Sequence, residues 1–94
     1  MTLRPPSPAA TGARHDAPRE LFIRHARRDG RSIAVLRAVD YGDSCVVESD
    51  VYPAGSASPT QAGPYTFADA RQATAFVTEA VEALMYLGCD IHAQ

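Results

Sequence analysis

Few residues in this chain combine a reactive side chain with a spacing that chemistry needs. The three histidines are scattered: His15 near the N-terminus, His25 in a strand-like segment, His92 near the C-terminus. At the turn end of an apolar strand face, His25 fits a half-buried structural role better than that of a base. Ser44, Cys45 and Ser49 have no triad partner at a usable spacing. No Gly-rich phosphate loop, Cys-x-x-Cys, His-Glu-x-x-His or Gly-x-Ser-x-Gly is present. Asp40, Asp43, Glu48 and Asp50 gather around one hairpin. Strand alternation sends them to different faces, so they read as a solvated turn and not a metal site. Cys45 and Cys89 have no metal-type spacing and fall at apolar positions, where a small buried thiol is the expectation. The chain reads as a non-enzyme with no cofactor.

Arginine is the one chemically suggestive residue type. Residues 1–37 hold eight of the nine arginines; residues 38–94 hold only Arg71 against eight acids, and there is no lysine. A G+C-rich genome accounts for Arg over Lys, but not for the position. A net charge of -2 argues against a strong nucleic-acid binder. Locally, Arg24, Arg27, Arg28 and Arg31 lie on the first hairpin, with Phe22 and Tyr52 nearby. Arginine beside aromatic rings on a sheet is one way to hold single-stranded nucleic acid. The plainer reading is ordinary charge on an exposed hairpin.

These residues must be positioned by a sheet and a helix. Thr66 to Gly88 reads as one amphipathic helix, with Phe67, Ala70, Ala73, Phe76, Val77, Ala80, Val81, Leu84, Met85 and Leu87 at steps of mostly three or four. Thr66 is the expected N-cap, and Gly88 the expected left-handed terminator. Glu20–Arg28, Arg31–Tyr41 and Ser44–Tyr52 read as three strands. The turns Asp29-Gly30 and Gly42-Asp43 join them into an antiparallel meander. With two-residue turns, pairing Arg28 with Arg31 puts Ile23 opposite Leu36 and His25 opposite Ala34. Pairing Tyr41 with Ser44 puts Ala38 opposite Val47. The helix is then expected on a face made of Leu21, Ile23, Ala34, Leu36, Ala38, Cys45, Val47 and Val51. The opposite face is expected to stay open. Its candidate interaction surface is Phe22, Arg24, Val35, Arg37, Val39, Val46 and Tyr52, with Arg37 opposite Glu48. Aliphatic residues between charges leave an apolar patch, and such patches usually have a partner.

The length allows one domain at most. Residues 1–18 carry four of the seven prolines and almost no large apolar residue, and read as a disordered tail. Residues 19–94 read as one domain, with a flexible loop at 53–64. Tyr65-Thr66-Phe67 adds a short extended segment, and Cys89-Asp90-Ile91 a fold-back onto the helix end. Residues 1–18 lack the apolar core of a secretory signal, and no run is long enough to span a membrane, so a cytoplasmic location is expected. The expected fold is α+β: a three-stranded antiparallel meander with one C-terminal helix on one face. The element order resembles single-strand-binding coactivator-like and whirly-like proteins. The segments Phe22-Ile23-Arg24-His25-Ala26-Arg27-Arg28-Asp29-Gly30-Arg31 and Tyr86-Leu87-Gly88-Cys89 resemble short β-proteobacterial proteins, over residues 19–91. That resemblance implies no activity. The expectation is a small soluble interaction module, self-associating through the open face or bound to a protein partner. Single-stranded nucleic acid on Arg24, Arg27, Arg28 and Arg31 is the alternative.

Overall fold

A computed structural model describes residues 17–54 and 56–93; most of the expected tail, residues 1–16, lies outside that range. Six elements follow in order: β1 (Arg19–Arg28), β2 (Arg31–Asp40), β3 (Cys45–Val51), β4 (Thr60–Phe67), α1 (Ala70–Tyr86) and β5 (Asp90–His92). The protein is α+β, with one helix on one face of an antiparallel sheet. The sheet has five strands, in the order β4-β3-β2-β1-β5, where the sequence suggested three.

The two extra strands come from segments with weak strand signals. β4 takes in Thr60 to Pro64, part of the expected loop. Gly63 and Pro64 sit in a bulge opposite Glu48, between the pairs Val47–Tyr65 and Ser49–Ala62. Such a break in the ladder accommodates a proline, which has no N–H to give. β5 is three residues long and pairs His25 with His92, Ala26 with Ile91 and Arg27 with Asp90.

Both hairpin turns form where the Gly-containing pairs predict them. Asp29 (φ 53°) and Gly30 (φ 76°) supply the two left-handed residues that a two-residue turn requires. The second hairpin keeps the expected register throughout, including Ala38–Val47 and Leu36–Ser49. The first does not. Arg27 pairs with Ser32 but Ala26 pairs with Ala34, so Ile33 is an extra, bulged residue in β2. A one-residue slip exchanges the faces of a strand. Arg24 therefore opposes Leu36, and His25 opposes Val35. A second bulge at Leu21, between the pairs Glu20–Val39 and Phe22–Ala38, restores Leu21 to the core side beside Phe22.

The helix begins at Ala70, four residues later than expected, because Thr66 and Phe67 are held in β4 by pairing with Val46 and Cys45. Its cap is Asp69, whose Oδ1 accepts the Gln72 N–H at 2.9 Å. Gln72 reaches back, and its Oε1 accepts the Ala68 N–H at 3.2 Å. This resembles a capping box, except that Gln72 returns to the N–H of the residue before the cap and not to that of Asp69 itself. At the other end the Cys89 N–H donates to Leu84 O (3.0 Å) and the Gly88 N–H to Met85 O (2.9 Å). Gly88 has φ 91°. These two bonds and the left-handed residue make a Schellman motif.

The core lies between α1 and the middle of the sheet. Leu36, Cys45, Val47, Ala73 and Val77 form its buried centre, and Val47 is 0% exposed. Small Ala34 and Ala38 on β2 are buried too. On the β4 side Phe76 packs against Tyr65 and Phe67, with ring centroids 5.1 and 5.2 Å apart. Ala26, Ala34 and Cys89 form a second cluster at the helix end, flanked by Ile33, Leu84 and Ile91. The bulge gives Ile33 its place there.

Candidate functional site

The face away from the helix is centred on β2, the middle strand. Cross-strand partners share a face, so the ladder assembles it residue by residue. β2 contributes Val35, Arg37 and Val39; β3 contributes Val46, Glu48 and Asp50; β1 contributes Glu20, Ile23 and His25. Arg37 stands at the centre. Its Nη1 donates to Glu48 Oε1 at 3.2 Å. Its Nε lies 3.0 Å from Glu20 Oε1, yet makes no hydrogen bond and is closed off from solvent. The Glu20 contact is thus one of charge alone. Around this bridge are aliphatic side chains. Ile23, Val35 and Val46 are half-buried, and Val39 is only 7% exposed although no helix among the described residues covers it. One-sided antiparallel sheets commonly turn polar residues outward; β2 here alternates Val, Arg, Val.

The structure divides the seven residues expected on this surface. Val35, Arg37, Val39 and Val46 are on the open face together. Phe22 and Arg24 are not: the Ile33 bulge turns both toward the helix. Phe22 packs against the core, and Arg24 stacks its guanidinium 4.9 Å above the Phe22 ring while donating from Nη1 to Ile23 O (2.8 Å). With Thr74, Thr78, Val81 and Glu82 they line a groove of about 360 Å³ between β1 and α1. Ile23, expected in the core, takes their place on the open face. No Gly or Pro marks Ser32-Ile33-Ala34, so the sequence carries no sign of this exchange. Tyr52 lies past the end of β3, held by its N–H to Ile33 O at 2.9 Å.

The four expected nucleic-acid contacts are also separated. Arg24 is in the helix-side groove, and Arg27 is paired in register with Asp90. Arg28 and Arg31 remain together at the end of the sheet. There they line a cleft with Tyr52, which the strand pairing expected from the sequence also places near them.

His25 and His92 face each other across β1 and β5, a pairing the sequence spacing conceals. No third ligand joins them, since no group of three or more His, Cys, Asp or Glu gathers among the described residues. Cys45 and Cys89 are both buried free thiols. Burial pushes the Cys45 thiol above its ordinary value of 9.0, and the negative charges of Asp40 and Asp69 add to this. A thiol held protonated is a poor nucleophile. Apolar side chains also stand exposed at the end of α1, where Tyr86 is 94% and Leu87 66% exposed. Among the described residues, no helix is long and apolar enough to cross a membrane. No family model, curated protein or solved structure matches the chain.

Proposed function

We propose that this protein is a small cytoplasmic interaction module that self-associates through the open face of its sheet. The observation that carries the proposal is the outer face of β2. Val35, with Ile23, Val46 and the buried Val39 on the same face, presents half-buried aliphatic surface around a single charged bridge, and among the described residues no element lies over it. Two such faces packed together remove that surface from water, as stacked sheets do at about 10 Å separation. Arg37 and its two glutamates then set register more than affinity, because a half-exposed ion pair is worth only about 0–1 kcal/mol.

The sheet edges favour a face over an edge as the contact. β4, one outer strand, is broken by the Gly63-Pro64 bulge. The N-terminal half of β1, which β5 leaves uncovered, carries the Leu21 bulge and Arg19 and Arg24. Bulges, prolines and charges are the usual means of blunting an edge against strand addition.

The test is Val46→Arg. This side chain is at the interface and outside the helix-side core, so the variant should fold with a thermal midpoint near that of the wild type. By size-exclusion chromatography it should elute as a smaller species than the wild type at the same concentration. Identical elution of the two would remove the open face as the contact.

A further inference from the structure

The first hairpin turn and the segment after β3 border a shallow, open cleft at the end of the sheet. It has a volume of about 500 Å³, within the range of roughly 300–1,000 Å³ usual for small-molecule sites. Arg31, Ser32, Tyr52 and Ser56 line it; an adjoining hollow of about 280 Å³ adds Arg28 and Asp29. Two arginines and one aspartate thus border the two hollows, with the Arg28 Nε 3.8 Å from the position a Cβ on Gly88 would take. Among the described residues, the ion pairs are those of Arg19 and Arg37, and neither Arg28 nor Arg31 takes part in them.

The walls have defined positions. Tyr52 is fixed by its backbone bond to Ile33 O (2.9 Å), and the Ser56 N–H closes a turn onto Pro53 O (3.0 Å). Ser56 Oγ is engaged with Ser58, donating to its carbonyl (3.0 Å) and accepting from its N–H (3.1 Å). Ser32 supplies the remaining hydroxyl. Guanidinium forks match phosphate oxygens, hydroxyls complete their shell, and an aromatic wall takes a planar base.

We propose that this cleft binds a nucleotide, with its phosphate on Arg28, Arg31 and Ser32 and its base against Tyr52. The phosphate belongs either to a free mononucleotide or to a single strand; the recognition chemistry is the same. The inference does not depend on self-association, because none of these side chains lies in the β2 patch.

Calorimetric titration of the full chain at low salt tests it, with adenosine monophosphate, adenosine, inorganic phosphate and a ten-nucleotide single strand as probes. Adenosine monophosphate, the strand or both should bind, adenosine should bind at least about tenfold more weakly, and added salt should weaken the phosphate-bearing probes. Tighter binding of the strand identifies it as the source, and tighter binding of the mononucleotide identifies a free nucleotide. Arg31→Glu, and independently Arg28→Gln, should each cost about tenfold or more, the worth of a charge-assisted hydrogen bond. Both positions flank an exposed turn, and an unchanged thermal midpoint shows that the fold is intact. Tyr52→Ala should weaken adenosine monophosphate but not inorganic phosphate. The proposal fails if neither nucleotide probe binds at millimolar concentration, or if both arginine variants bind like the wild type. It also fails if inorganic phosphate binds as tightly as the nucleotide.

Discussion

Cys45 lies in the centre of the core, on β3, and is only 2% exposed. Neither it nor Cys89 should react with a thiol reagent at neutral pH until the protein unfolds. Ellman's reagent added to native protein should release no colour on the mixing timescale, and two equivalents in denaturant. The raised Cys45 value also has a sign. The fold favours the neutral thiol, so its contribution to stability is complete below about 9.0 and is lost as pH climbs through the higher folded value. The thermal midpoint of the wild type should therefore fall relative to that of Cys45→Ala above this pH. The burial of these thiols was legible from their apolar neighbours in the sequence. The places of Phe22, Arg24, Ile23 and His25 were not. Each depends on one bulged residue, Ile33, whose own type gives no signal and whose effect runs from Ala26 back to Phe22, where the Leu21 bulge cancels it.

At the scale of elements, what was legible follows how local the signal is. The Asp29-Gly30 and Gly42-Asp43 turns, the register of β2 with β3 and the glycine stop of α1 are set by residues adjacent in sequence. β4 and β5 are set by partners far along the chain. Thr60–Pro64 has little strand propensity and becomes a strand because β3 offers it an edge. The same pairing retains Thr66 and moves the helix cap to Asp69. Two substitutions probe these elements. Gly88→Ala puts a Cβ at φ 91° but within 4 Å of only Arg28 Nε, at 3.8 Å, so its cost is conformational: about 1–2 kcal/mol by denaturant unfolding. Phe76→Ala removes a ring packed between Tyr65 and Phe67 but only partly buried. It should cost about 2–3 kcal/mol, below the roughly 3–5 kcal/mol of a fully enclosed phenylalanine. A loss under about 0.5 kcal/mol, typical of surface positions, would contradict this packing.

On the scale of the whole molecule, one helix covers one face of a five-stranded sheet, and among the described residues no element covers the other. The proposed function rests on that imbalance. Its aliphatic character was visible in the alternation of Val35, Arg37 and Val39, although three of the residues first assigned to it, Phe22, Arg24 and Tyr52, belong elsewhere. Charge reversal at the sheet end, with Arg28→Glu and Arg31→Glu together, should leave the oligomeric state unchanged, because those residues lie outside the patch. Sedimentation equilibrium of the wild-type chain over a wide concentration range, at low and at high salt, tests the central claim most directly. The proposal predicts a reversible monomer–dimer equilibrium whose constant changes little with salt, because apolar area drives it. A strict monomer at the highest concentration, or a dimer that salt dissolves, would contradict it.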